Sequence, residues 1–138
     1  MASTDILKLC LIAFTCGLGA CERSTKDTTT VSFATDVQPI LNANCVECHD
    51  KAAEGVAASG LNLADYEGLM EGTRYGPMVI ANSSESSSLY LVVAQKTSPE
   101  IRMPPQHEDA LAEGRGRPLS AKEIGIIKTW IDEGALNN

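Results

Sequence analysis

The sequence predicts a small all-α domain with about four to five short helices, and three observations support this prediction. Several stretches place apolar residues three or four positions apart, behind a residue that commonly caps helices. No convincing pair of alternating strands occurs along the chain. The length, 138 residues, leaves room for one domain.

The first predicted helix lies in the stretch SFATDVQPILNANC, residues 32–45. Asp36 is the predicted N-cap, and Pro39 falls in the first turn, where a missing N–H costs no hydrogen bond. The apolar residues around it share one face: Val37, Ile40 and Leu41. The helix leads directly into Cys45, and the small-residue stretch DKAAEGVAASG, residues 50–60, predicts a loop.

Two further helices are predicted in the middle of the chain. The stretch LNLADYEGLMEG favours a short helix from about Asp65 to Glu71, closed by Gly72. The stretch SSESSSLYLVVAQ favours another, with serines at its N-cap. The inner face of that helix is predicted to hold Leu89, Val92 and Val93. The run LYLVV would also suit a strand, but the sequence offers no partner strand.

The last predicted helix follows TSPEIRMPPQ, which must be a rigid loop because it holds three prolines in seven residues. Ser120 and Glu123 form a capping box at the start of the helix, and Gly134 ends it. Its apolar stripe consists of Ile124, Ile127, Trp130 and Ile131. Gly125 costs about 1 kcal/mol relative to alanine inside a helix, which predicts close approach by another element.

The N-terminus resembles the signal of a bacterial lipoprotein. Residues 9–20 form an apolar run behind Lys8 that is too short to span a bilayer. The run ends in LGAC, residues 18–21, which resembles a lipobox; a secretory signal cut near Ala20 is the alternative. The prediction is a lipoprotein signal peptide (1–20), a polar tether (21–31) and a domain (32–138). Lipidated Cys21 would then anchor an exported, periplasmic domain to a membrane.

Charge and cysteine count agree with this organisation. The net charge of −7 is spread along the chain and argues against nucleic-acid binding, which needs a basic patch. Five cysteines would leave one thiol unpaired in an exported protein. Cleavage before Cys21 removes Cys10 and Cys16, so Cys45 and Cys48 are the two that remain beside the lipidated residue.

The motif CVECH, residues 45–49, has three interpretations: half a zinc site, a redox dithiol, or a haem attachment site. Zinc needs four ligands, and the mature chain adds only His107 and the lipidated Cys21 to this motif. A thioredoxin-like dithiol would need a βαβ context. The spacing suits covalent haem, because two thiols can meet two vinyl groups while His49 meets the iron. With only one Trp, three Tyr and two Phe, the chain can build only a small hydrophobic core. A large apolar macrocycle would add buried apolar surface to that core.

The chain resembles monohaem class I c-type cytochromes, and among them the planctomycete-type cytochrome c domains. The resemblance rests on DVQPILNANCVECH, LNLADYEGLM, GPMVIANSSESSSLYLVV, RMPP and LSAKEIGIIKTWIDEGA, which together cover nearly all of residues 33–136. It implies a class I cytochrome c fold around one covalent haem c, with the first and last helices crossing. We therefore expect Trp130 to pack against Val37, Ile40 or Leu41.

The same resemblance implies the site residues. Cys45 and Cys48 would carry the haem, His49 would be the proximal iron ligand, and the Pro77 carbonyl would accept the proton of its imidazole. The second axial ligand has four candidates: Met70, Met78, Met103 and His107. Met103 is preferred because prolines stiffen its loop and a soft thioether suits haem iron, whereas His107 is the rival.

Two departures from the family pattern accompany this assignment. The segment HEDALAEGRGR, residues 107–117, is longer than the usual link to the last helix. Met78 replaces a small residue and would add a methionine near the haem pocket. Met70 is expected to belong to the core.

His/Met ligation would saturate the iron, which predicts an electron carrier or a redox module rather than an enzyme. The alternative is a sensor or enzyme that binds a gas or peroxide at an open or displaceable distal position. The expected partners are a redox protein and, through the lipid, a membrane; no nucleic-acid partner is expected.

Overall fold

The computed structural model describes residues 30–138. This range contains seven α-helices and no β-strand, which confirms the all-α class. The helices are α1 Gln38–Asn44, α2 Val46–His49, α3 Glu54–Ser59, α4 Tyr66–Glu71, α5 Ser88–Val93, α6 Glu108–Ala112 and α7 Ala121–Asp132. A π-helical turn, Phe33–Val37, precedes α1, and two 3-10 turns span Ser84–Ser86 and Pro99–Ile101.

The number of helices is higher than the predicted four to five because the short helices α2, α3 and α6 were not predicted as separate elements. In residues 30–138, no helix has both the length and the apolar character to cross a membrane. The predicted signal peptide, the predicted lipidation site Cys21 and residues 21–29 of the predicted tether lie outside the described residues.

The first helical region begins four residues earlier than predicted. Ser32 is its N-cap, and its hydroxyl accepts a hydrogen bond from the Thr35 N–H at 3.3 Å. The carboxylate of Asp36 accepts from the Ser32 N–H at 2.8 Å, so Asp36 caps the helix from within its first turn. The prediction of Asp36 as N-cap is therefore wrong, because two polar residues share the task reciprocally.

The predictions for α4 and α7 are confirmed by their caps. The side chain of Asp65 accepts from the Gly68 N–H at 2.8 Å, and Gly72 ends α4 with a φ of 81°. Both hydrogen bonds of the capping box between Ser120 and Glu123 are present at the start of α7. Local capping chemistry thus sets the ends of these two helices.

Two stretches for which the sequence predicts no helix contain helices. Helix α3 lies inside the predicted loop after His49 and ends at Gly60, which adopts a left-handed φ of 86°. Helix α6 lies inside the polar segment 107–117 and has His107 as its N-cap. Neither helix has an apolar stripe long enough to be visible as a periodic pattern in the sequence.

The core brings the two ends of the described chain together. Helix α7 packs against the π-helical turn that leads into α1, so the first and last helical elements are in contact; the crossing of α1 and α7 themselves stays a prediction. Trp130 is 1% exposed, and its ring centroid lies 5.4 Å from that of Phe33 and 6.4 Å from that of Tyr66. Its indole N–H donates to the Leu136 carbonyl at 2.9 Å. The predicted partners Val37, Ile40 and Leu41 belong to the same buried cluster as Trp130 and Phe33, and Tyr66 packs against that cluster.

Gly125 does not have the role that was predicted for it. A Cβ built on this residue would meet no heavy atom of residues 30–138 within 4 Å, apart from those of its own helix and its chain neighbours. The expectation of close backbone approach is wrong. The glycine lies on a face of α7 that is open in the described part of the chain.

Candidate cofactor site

A cavity of about 410 Å³ lies beside α2, within the range of about 300–1,000 Å³ typical of cofactor pockets. The motif residues Cys45, Cys48 and His49 form one part of its wall. A mainly apolar part is formed by Leu61, Leu63, Met78, Leu89, Val92 and Val93. The remaining wall comes from the proline-rich loop, the end of segment 107–117, and polar residues of α1 and α7.

The motif residues reach the cavity because the chain makes one helical turn through them. The carbonyl of Cys45 accepts hydrogen bonds from the N–H groups of Cys48 and His49 at 3.1 and 3.0 Å. Both thiols are free and half-buried. This turn places two sulfurs and one imidazole along the same side of the cavity.

The thiol of Cys45 lacks the lowered pKa that is typical of a reactive cysteine. Burial raises its pKa to about 12, and the neighbouring Cys48 and Glu123 contribute in the same direction. Reactive cysteines instead have a pKa below the ordinary value, because the thiolate is the nucleophile. The environment of Cys45 therefore keeps the neutral thiol at physiological pH.

The backbone of residues 61–63 fixes the orientation of His49. Its ring Nδ1 lies 3.1 Å from the carbonyl oxygen of Leu61, and its own carbonyl accepts from the Leu63 N–H at 2.8 Å. Since a carbonyl can only accept, Nδ1 carries the proton and Nε2 keeps a free lone pair. His49 thus lines the cavity as a nitrogen ligand in a defined tautomer.

The acceptor for His49 is Leu61 and not Pro77, so the assignment of Pro77 as the supporting residue is wrong. Pro77 is exposed and follows a tight turn in which Thr73 and Gly76 exchange backbone hydrogen bonds. The segment that follows Gly60 lies next to the His49 ring, and its Leu61 carbonyl occupies the position beside Nδ1. No side-chain pattern marks a backbone acceptor, which explains why the sequence did not reveal Leu61.

Met103 lines the cavity from the proline-rich loop and is half-buried. Its N–H donates to the carbonyl of Val92 at 3.2 Å, which ties the loop to the end of α5. Met78 also lines the cavity, as its sequence position suggested. Met70 packs against the hydrophobic core instead. The structure thus brings Met103 and Met78 to the cavity and leaves Met70 in the core.

His107 is exposed and its ring is engaged in capping α6. Its Nδ1 accepts a hydrogen bond from the Ala110 N–H at 3.3 Å, so the neutral ring carries its proton on Nε2. A nitrogen that carries a proton offers no lone pair to a metal. His107 lines a second cavity of about 390 Å³, which adjoins the first and shares Met103 and Cys48 with it.

Segment 107–117 spans the edge of the cavity, with Arg115 as its main contact. The guanidinium donates to Glu54 of α3 at 2.8 Å, lies 3.6 Å from the sulfur of Cys48, and also pairs with Glu113. Gly116 has a φ of 90°, and a Cβ there would lie 2.1 Å from the Pro105 carbonyl oxygen. The segment is therefore held both to the proline-rich loop and to α3, which sequence reasoning did not anticipate.

These residues fit a haem macrocycle. The cavity combines an apolar wall with two thiols, one imidazole nitrogen and a thioether, which are donor types found around haem iron. In the part of the chain that the structure describes, no three His, Cys, Asp or Glu side chains cluster so as to hold a metal ion.

One comparison, the match to a protein family model, agrees with this chemistry. A family model described as Planctomycete cytochrome C matches residues 45–107, from the first motif cysteine to His107, directly after the proline-rich loop. Among solved structures, a chain of Kuenenia stuttgartiensis hydrazine synthase is similar over 76% of this chain, with 28% identity and a TM-score of 0.49. The match spans 16% of that chain. No curated protein matches the sequence.

Proposed function

We propose that the protein is a monohaem electron-transfer protein of the cytochrome c type, because residues 45–107 match a family model described as Planctomycete cytochrome C. The observation that carries the proposal is that Cys45, Cys48, His49 and Met103 all line one largely apolar cavity. The proposed roles are covalent attachment for the two cysteines and axial iron ligation for His49 and Met103.

The thiols of Cys45 and Cys48 are suited to attachment because they lie one helical turn apart on the cavity wall. Each thiol would add its sulfur to one carbon of a vinyl group and its hydrogen to the other. This addition balances without an oxidant or a reductant. The result is two thioether bonds and one covalently held haem.

The proposed ligand pair follows from the state of each candidate side chain. His49 presents Nε2 with a free lone pair, because its Nδ1 proton is bound to the Leu61 carbonyl. The thioether of Met103 lies in the cavity wall, whereas His107 is exposed and uses its Nδ1 lone pair to cap α6. When bound, haem supplies an iron that gains or loses one electron, and a His/Met pair favours a high potential.

The apolar wall supports electron transfer. Leu61, Leu89 and Val93 are buried, so they would exclude water from a cofactor held in the cavity. Exclusion of water limits the charge rearrangement that accompanies a change of iron oxidation state. The role of these side chains is to hold the cofactor in one geometry in both oxidation states.

Spectra of the haem-loaded protein test this function. We expect a ferrous form that is six-coordinate and does not change when carbon monoxide is added, because Met103 occupies the distal position. Rapid and complete carbon monoxide binding would instead support the alternative, a sensor or enzyme that binds a small ligand at a displaceable distal site. Reversible one-electron titration with an unchanged protein mass is the second expected result.

We also propose that the domain is exported to the periplasm, anchored to a membrane through lipidated Cys21, and paired with a redox protein. The support is the apolar run at residues 9–20, which ends in LGAC, and the polar stretch that follows it. Several acyl chains give a stable anchor, because each buried CH₂ contributes about 0.8 kcal/mol. Cys21→Ser should release the haem-loaded domain in soluble form. A wild-type protein that is soluble and has the mass of an unmodified cleavage product would contradict this.

A further inference from the structure

We propose that Gly55 and Ser59 of α3 are positioning residues for the imidazole of His49. The inference rests on the proposed ligation of iron by His49 and adds the device that fixes the orientation of that ring. Two contacts carry it: the backbone of α3 packs directly on the ring, and the hydroxyl of Ser59 links α3 to the residue that accepts the ring proton.

Gly55 provides the space in which the ring lies. A Cβ at this position would lie 2.8 Å from Cε1 and 2.9 Å from Nδ1 of His49, and 2.5 Å from the carbonyl oxygen of Cys48. Gly55 is the second residue of α3, and the close packing of the ring and of the Cys48 carbonyl is the constraint that requires a residue without a side chain. Any side chain here would displace either the imidazole or the backbone of the haem-attachment turn.

Ser59 connects this packing to the hydrogen bond of the ring. Its hydroxyl donates to the Gly55 carbonyl at 2.7 Å and accepts from the Leu61 N–H at 3.1 Å. The Leu61 carbonyl then accepts from Nδ1 of His49 at 3.1 Å. Gly60 turns the chain between them with its left-handed φ of 86°. Ser59 thus holds Leu61 at the distance that the ring requires.

The arrangement closes a loop from α3 through Ser59 and Leu61 to His49 and back to Gly55. Because the loop is closed, the ring plane and the direction of the Nδ1 hydrogen bond are set together. The strength of that hydrogen bond determines how basic Nε2 is as a ligand. A change at Gly55 should therefore alter ring orientation, and a change at Ser59 should alter the hydrogen bond.

The experiment uses the haem-loaded protein with the variants Gly55→Ala, Ser59→Ala and Ser59→Thr. Gly125→Ala is the matched control, because it adds the same methyl group to a helix where residues 30–138 leave open space. The readouts are proton NMR of the ferric haem methyl groups, exchange of the His49 Nδ1 proton with solvent, and the reduction potential.

We expect Ser59→Ala to exchange the Nδ1 proton several-fold faster and to raise the potential, because a weaker hydrogen bond leaves the imidazole less able to stabilise ferric iron. Ser59→Thr restores the hydroxyl and should return both values towards those of the wild type. Gly55→Ala should change the pattern of haem methyl shifts, and Gly125→Ala should leave all three readouts unchanged. If Gly55→Ala does not mature with haem, the comparison of Ser59→Ala with Ser59→Thr tests the positioning inference.

Two failures are distinguishable. If the wild-type iron is bound by His49 but Ser59→Ala behaves as the wild type and as Gly125→Ala, the positioning inference is overturned and the proposed function stands. If His49→Ala leaves the wild-type spectrum intact, His49 is not a ligand and both proposals are overturned.

Discussion

The N–H of Met103 donates a hydrogen bond to the carbonyl of Val92 at 3.2 Å, and this contact holds the proline-rich loop against the end of α5. The side chain of Gln95, just beyond that helix, reaches the Met103 carbonyl at 3.5 Å. Both the N–H and the carbonyl of Met103 are therefore hydrogen-bonded to residues at or just beyond the end of α5. A substitution of its side chain should change the site without moving the loop.

Met103→Ala is expected to open the distal position of the iron. The haem should stay attached, the ferrous protein should bind carbon monoxide, and the potential should fall on the order of 0.1–0.3 V, within the roughly 0.8 V that axial ligands span. Optical spectra and a redox titration measure these effects. His107→Ala is the control and should leave the spectrum unchanged. If His107→Ala opens the iron and Met103→Ala does not, the ligand pair is His/His.

Replacement of both motif cysteines, Cys45→Ala with Cys48→Ala, should prevent haem attachment and weaken folding. The cavity of about 410 Å³ would lack the macrocycle that fills it, and small domains depend on such a group for stability. We expect lower helicity in circular dichroism and rapid proteolysis. Cys21→Ser removes a cysteine outside this site and should keep the haem. A double variant that unfolds cooperatively with wild-type helicity would disprove the dependence.

Trp130→Ala should lower the free energy of unfolding by about 3–5 kcal/mol, as is typical for truncation of a buried aromatic side chain. The substitution removes ring contacts with Phe33 and Tyr66 and the hydrogen bond to Leu136. Denaturant unfolding measures the change. Trp130→Phe keeps a ring but loses the N–H, so its effect should be smaller. If both variants lose the same free energy of unfolding, the packing of the Trp130 ring contributes little to stability.

Gly125→Ala should raise the free energy of unfolding by about 0.4–1 kcal/mol. The added methyl group meets no atom within 4 Å outside its own helix in residues 30–138, and alanine reduces the conformational freedom of the unfolded chain. A thermal or chemical unfolding curve detects this gain. A loss of stability would indicate that something outside the described residues packs on this face of α7.

Asp132 should make stability depend on acid pH. Lys128, at 2.5 Å, and the N–H of Ser84, at 2.8 Å, lower the pKa of its carboxyl from 3.8 to about 2. A lowered pKa in the folded state stabilises the protein above about pH 4, and this contribution is lost as the pH falls from 4 to 2. The carboxylate is partly exposed, so screening limits the effect to about 1 kcal/mol or less.

Asp132→Asn tests this expectation in unfolding experiments at pH 7 and pH 2. The variant should be less stable than the wild type at pH 7, and the difference should shrink towards pH 2. Lys128→Gln removes the partner charge and should show the same trend with a smaller amplitude. A stability difference for Asp132→Asn that does not change with pH would contradict the assigned cause.

The sequence predicted the ends of α4 and α7 because side-chain caps that are recognisable in the sequence mark them. Asp65 and Gly72 mark α4, and the capping box of Ser120 marks α7, because a cap is a local feature of a few residues. Helix α3 was missed since EGVAAS has no apolar stripe and has a glycine in its first turn. Tertiary packing, rather than local propensity, determines that short helix.

In the candidate site, too, some residues could be predicted from the sequence and others could not. The motif predicted the cysteines and His49 as cavity residues because their chemistry resides in their side chains. Leu61 was missed because its contribution is a carbonyl that every residue has, and Pro77 was assigned in its place. Arg115 was missed because its contact with Glu54 joins positions 61 residues apart in the sequence. Such contacts depend on the path of the chain between them.

The main-chain acceptor for His49 affects how this protein can evolve. A codon change at position 61 alters only a side chain, and the carbonyl that binds the imidazole persists. Apolar variation at Leu61 is therefore tolerated by the hydrogen bond and limited mainly by burial, since this residue is 5% exposed. At Gly55 a single nucleotide change adds atoms where the ring already lies. Purifying selection should act more strongly on the glycine than on the residue that makes the bond.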